Sequence, residues 1–173
     1  MLADLFLQSA LKRFREYKTL GEKTFAQLEE KDMLFAPNES SNSIAVIIQH
    51  MHGNMLSRWT NFLTEDGEKE WRRRDEEFEI RRATKKELIQ LWEEGWAALF
   101  SALEKLEATD LTRMITIRSQ PLTVVDAINR QLAHYSYHVG QIVYLGRWIR
   151  NNEWTSLSIP KGGSDAYNEK LTK

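Results

Sequence analysis

The sequence predicts an all-α protein. The expected architecture is a four-helix bundle with a long connection between helices two and three, a short extended segment before helix four and a packed C-terminal tail. Three observations carry this. Four stretches repeat apolar residues at helical spacing, three of them open on a Ser or Thr cap, and the one β-branched, partly alternating run is short. With 173 residues the chain has the length of a single domain, 1–173, which buries about 70% of its unfolded surface and so has a sizeable core.

The first helix is expected from Leu2 to about Leu28, with Leu5, Phe6, Leu11, Phe14, Tyr17, Phe25 and Leu28 on its apolar face and a break at Gly21. Residues 33–42 carry Pro37, Asn38, Ser40, Ser41 and Asn42, the chemistry of a loop. Ser43 is placed to cap a second helix, Ile44 to about Leu63, whose stripe runs through Ile47, Ile48, Met51, Met55, Trp59 and Phe62. Residues 64–83 form a charged connection, long by loop statistics, expected to cross the bundle and fasten itself with Trp71, Phe78 and Ile80. Within it Arg72, Arg73 and Arg74 are followed at once by Asp75, Glu76 and Glu77, a mixed-sign run that reads as a solvated face.

Thr84-Lys85-Lys86-Glu87 has the form of a capping box and opens the third helix, with Leu88, Leu91, Trp92, Leu99, Leu103 and Leu106 inward. Trp92 and Trp96, one turn apart, can line a pocket, but such a stripe reads first as core. Residues 112–118 read as extended, ended by Pro121. Thr123 and Asp126 begin the last helix, with Val125, Ile128, Leu132, Val139, Ile142, Val143 and Ile149 inward. Residues 151–173 are rich in Ser, Gly, Asn and Lys, yet Trp154, Leu157, Ile159 and Tyr167 imply a tail that packs back on the body.

Lys and Arg number 24 against 25 Asp and Glu, so no global field draws the chain to nucleic acid or anionic lipid. The absence of cysteine removes disulfides, thiolate metal sites and a cysteine nucleophile, and suits a reducing cytoplasm. The start, Met1-Leu2-Ala3-Asp4, lacks the marks of a signal peptide, and the longest aliphatic run is only Ile44 to Ile48, so no membrane partner is expected.

The chemistry lies in the histidines. His134 and His138 stand four residues apart, which on a helix puts both imidazoles on one face. A metalloprotease motif would place Glu after His134, where Tyr135 stands. A di-iron carboxylate bundle needs Glu three residues before its histidines, where Ile47, Gln49, Gln131 and Tyr135 stand. His50 and His52 point about 200° apart on a helix and cannot serve one ion together. Periodicity puts His52 beside the core stripe and His50 on a polar edge with Asn54 and Arg58. His134 and His138 share a similar edge with Asp126, Arg130 and Gln141. One histidine of the second helix would complete a set of three, which leaves a coordination position open.

Ser43-Ile44-Ala45-Val46-Ile47-Ile48-Gln49-His50 at the head of the second helix, His134-x-x-x-His138 on the last, and the order of helices resemble the DinB-like (YfiT-like) superfamily of bacterial metal-binding four-helix bundles. The stretches 51–59 and 156–162 resemble an uncharacterised subgroup. The resemblance implies that His50, His134 and His138 bind one divalent metal, zinc or nickel ahead of iron or manganese. It implies a homodimer acting on a small molecule, as a thiol S-transferase using a low-molecular-weight thiol or as a hydrolase. Asn54, Arg58, Gln141, His52 and Lys161 are candidates for supporting or substrate contacts. The other expectation is a non-catalytic stress or scaffold protein with a structural or vestigial metal.

Overall fold

The computed structural model describes residues 2–79 and 83–171. These are mostly helical: α1 (Leu2–Phe25), a single turn α2 (Glu30–Met33), α3 (Ile44–Trp59), α4 (Lys85–Leu103), α5 (Val124–Arg150) and α6 (Ser164–Leu171), with one hairpin, β1 (Met114–Ile117) and β2 (Gln120–Thr123).

The caps are where the sequence places them. Ser43 Oγ accepts from Val46 N, Thr123 Oγ1 accepts from Asp126 N, and Thr84 and Glu87 complete both halves of their box. Helix ends are earlier than periodicity suggests. α1 stops at Phe25, and Leu28 packs from the following turn. α3 stops at Trp59, because Thr60 is extended and Asn61 is left-handed with φ 50°. Phe62 and Leu63 join the core from irregular chain, and Leu106 does so beyond the end of α4.

The four long helices pack as α3 on α4 and α1 on α5, and the pairs meet through α3 with α5 and α1 with α4. Where they meet, Phe14, Trp96 and Tyr135 are fully buried with ring centroids 5.9–6.2 Å apart, in offset and edge contacts. Trp92 lies edge-on to Phe25 at 5.0 Å, so both tryptophans of α4 are core.

Three expectations need correction. The extended segment is half of a hairpin, and Pro121 pairs with Thr116 inside β2 instead of ending the run. A two-stranded sheet is all edge, where proline is tolerated. Of the residues expected to fasten the connection, Phe78 packs half-buried on His50 at 4.8 Å between ring centroids, but Trp71 is 54% exposed and charge takes its place: Lys69 and Arg72 are buried, and Arg72 grips Glu77 at 2.8 and 3.0 Å. Ile80 lies outside the described residues. The tail packs only in part. Thr155 and Gln27 exchange two hydrogen bonds and Trp154 and Leu157 are half-buried, whereas Ile159 and Tyr167 are exposed and α6 buries nothing. No helix among the described residues is long and apolar enough to cross a membrane.

Candidate metal centre

Tyr135 sets the rotation of α5 against α3. Its ring sits in the aromatic core, and its hydroxyl donates to Asn54 Oδ1 at 3.0 Å and accepts from Trp59 Nε1 at 3.1 Å. Burial pushes this phenol upward, so it stays protonated as a donor. With Tyr135 turned inward, His134 and His138 lie together on one side of it and face the seam with α3 one turn apart, and His50 meets them.

His134 Nε2 lies 3.4 Å from His50 Nε2 and 3.1 Å from His138 Nε2, and one ring nitrogen from each histidine falls within 4.8 Å of the others. Nitrogens about 2.0–2.1 Å from a tetrahedral ion are roughly 3.3 Å apart, so the two spacings from His134 match those around a first-row divalent metal. Protonation points the same way. His50 Nδ1 is 2.9 Å from Glu77 Oε2 and His138 Nδ1 is 2.9 Å from Gln141 Oε1, both acceptors. A neutral imidazole that donates through Nδ1 has only a lone pair at Nε2. Neutral, His50 and His138 would each turn a lone pair inward, and one proton on His134 Nε2 can satisfy only one of its two contacts. A cation satisfies all three, so the group can hold a metal ion.

Burial, then the neighbouring histidines and arginines, hold His134 down to about 3. Burial holds His138 down to about 4, His50 adding to it and Gln141 opposing. Both are neutral, the ligating form, at physiological pH. Burial alone would raise the Glu77 carboxyl, but hydrogen bonds from His50 and Arg72 and the charge of Arg72 outweigh it and keep it ionised.

The two histidines of α3 are placed opposite to their periodicity. His50 is 5% exposed, covered by Phe78 at 4.8 Å between ring centroids, while His52 is half-buried and turned to Glu94 of α4 at 3.2 Å. Asn54 and Arg58 continue the His50 face, both buried. Arg58 donates to the Gly67 carbonyl and, at 3.1 Å, to Glu68. Gln141 touches His138 and accompanies Tyr137 on the outer side. Lys161 is exposed on the tail and lines no part of the cleft beside the histidines.

Glu77 and Arg72 were not legible as site residues. They sit in a mixed-sign run that pattern reads as solvated, yet they bury themselves beside His50. Gln49 holds that segment by donating to the carbonyls of Glu77 and Glu79.

A family model described as a protein of unknown function, DUF1572, matches residues 1–163. No curated protein matches the chain.

Proposed function

The chain belongs to the DUF1572 family, a DinB/YfiT-like domain family, and from that premise we propose that it is a metal-dependent enzyme of thiol S-transferase or hydrolase type. The observation that carries the proposal is the convergence of three imidazole nitrogens whose partners, Glu77 and Gln141, leave lone pairs facing one point. We read the four long helices as a single DinB-type four-helix-bundle domain that works as a homodimer on a small molecule.

In this reading His50, His134 and His138 hold one divalent ion, zinc or nickel ahead of iron or manganese, since imidazole suits borderline metals. When bound, such an ion supplies Lewis acidity, lowering the pKa of a thiol or water in its open position. The chain's own groups do the rest. Glu77 and Gln141 fix the tautomers and aim of His50 and His138. Asn54, its carbonyl taken by Tyr135, offers its amide N–H groups to a ligand. The cleft walled by His50 and His134 favours this over a closed structural site, which needs no approach.

Purified protein is expected to carry about one divalent ion per chain by elemental analysis, and His138→Ala to abolish uptake while His52→Ala retains it. Cobalt-substituted protein should change its visible spectrum when a low-molecular-weight thiol is added. A protein that refuses zinc, nickel and cobalt alike would end the metal reading. An unchanged spectrum across several thiols would end the transferase reading.

A further inference from the structure

Beside the histidines lies a cleft of about 210 Å³, walled on one side by His50 and His134. Besides Asn54 and Gln131, its other walls are arginines from four separate parts of the chain: Arg58 of α3, Arg72 and Arg74 of the connection, Arg118 of the hairpin turn and Arg130 of α5. Among the described residues, ion pairs bring three carboxylates to these five guanidinium groups. Glu68 takes Arg58 and Arg118 at 3.1 and 2.9 Å, Glu77 takes Arg72 while also holding His50, and Asp75 lies 3.5 Å from Arg74. Arg130 makes no ion pair with the described residues.

Bracing the connection accounts for Arg72 and for part of Arg58, but not for the surplus. Arg58 and Arg72 are more than nine-tenths buried, yet Arg58 Nε and Arg72 Nη1 have no hydrogen-bond partner, the latter standing 3.6 Å from Glu68. Buried cationic donors left unmatched are costly, and both side chains belong to the wall of the cleft, where they keep an excess of positive charge beside it. The turn adds an independent sign. Arg118 and Ser119 both hold positive φ, 55° and 59°, in a two-residue turn that glycine or asparagine would occupy more easily. The backbone is held there by Asp66, which accepts both N–H groups at 2.8 Å, and the result carries Arg118 into the cleft wall. Strain maintained by a dedicated partner points to a placed side chain.

The geometry points to an oxyanion subsite: the cleft binds the carboxylate or phosphate of a small molecule through Arg58, Arg118 and Arg130, beside the three histidines. Guanidinium groups match both oxyanions through paired N–H donors. The volume is below the range of about 300–1,000 Å³ typical of drug-sized ligands, so the cleft takes a small anion or the anionic end of a longer molecule. The proposed enzyme would then act on an anionic substrate, charged end in the arginines and reacting end at the histidines. This last step rests on the metal reading; anion binding itself does not.

The test is calorimetric titration of inorganic phosphate, and separately of acetate, into metal-free and cobalt-loaded protein at constant ionic strength in chloride. Arg118→Gln and Arg130→Gln are compared with wild type, both positions being exposed and so tolerant of substitution. Saturable binding to both forms is expected, weakened about tenfold by each substitution, with cobalt content unchanged. The stronger of the two anions identifies the substrate's charged group. No saturable binding of either anion, or equal affinity in wild type and both variants, would overturn the subsite. Anion binding confined to cobalt-loaded protein and indifferent to both substitutions would also overturn it, assigning the anion to the ion alone. Phosphate or acetate binding in a protein that takes up no cobalt would leave the subsite standing and remove the metal reading.

Discussion

Glu77 reaches His50 only because position 53 is glycine. A Cβ there would stand 2.2 Å from Glu77 Oε1, in space the carboxylate occupies while gripped by Arg72 on its other side. A carboxylate behind a ligating histidine raises its basicity and fixes its ring, and losing such a partner typically costs about 10–100-fold in metal affinity. Gly53→Ala and Glu77→Gln should therefore each weaken metal binding within that range, measured by competition with a chromophoric chelator, although neither touches a ligating nitrogen. Full affinity in both would reduce Glu77 to a tether for the connection. The depressed histidines give a second expectation. In the unfolded chain His134 and His138 take protons near pH 6.5, while in the folded chain they resist until about 3 and about 4. The unfolded state then binds more protons, so metal-free protein is most stable above pH 6.5 and loses stability as pH falls from there towards 3. Urea unfolding at pH 7 and pH 5 checks this. Equal stability at the two values would mean that the imidazoles are not held neutral.

At the scale of elements, the hairpin and the connection are one unit. Gly67 N donates to the Thr116 carbonyl, and Asp66 takes the turn N–H groups of Arg118 and Ser119. Burial acts to raise the Asp66 carboxyl, but the N–H groups of Glu68, Ser119 and Arg118 outweigh it and bring it down to about 2. Asp66→Ala should cost about 2 kcal/mol, the order of a charge-assisted hydrogen-bond cluster. Because the folded value is depressed from 3.8, that contribution is complete above about pH 4 and disappears as pH falls through 2. Urea curves of wild type and variant should accordingly converge in strong acid, and a gap that persists there would assign the cost to packing. This unit was also the least legible part of the fold. The four long helices could be read because each buries one stripe at a fixed period beneath a local cap. Asp66 finds two of its partners, Arg118 and Ser119, more than fifty residues away, and nothing periodic announces them. The same reason misplaced His50. The apolar stripe of α3 marks the side facing other helices, whereas His50 is covered by Phe78 and Glu77 of the irregular connection, which periodicity cannot see. The family resemblance chose His50 where pattern leaned to His52. The spacing of His134 and His138 needed no such help, since one turn of α5 brings them together.

At the scale of the molecule, the histidines stand on the seam between two helix pairs. α3 packs chiefly on α4 and α1 on α5, and α3 meets α5 over a smaller area around Tyr135, Asn54 and Trp59. An ion held by His50 on one side and His134 and His138 on the other would join those pairs by bonds that the unfolded chain cannot arrange. Binding to the folded state alone stabilises by about 2.7 kcal/mol when free metal is 100 times Kd. For a chain of this length each kcal/mol moves the unfolding midpoint by about 2–4 °C, so a chelator should lower Tm by about 5–10 °C. His138→Ala should unfold at one temperature with or without chelator. Hydrogen exchange locates the effect: with the metal removed, protection should fall first around His50 and His134, where the pairs join, before it falls around Trp96 in the shared core. A chelator that removes the ion yet leaves both Tm and seam protection unchanged would mean that the metal sits on an already rigid scaffold and does not join the two halves.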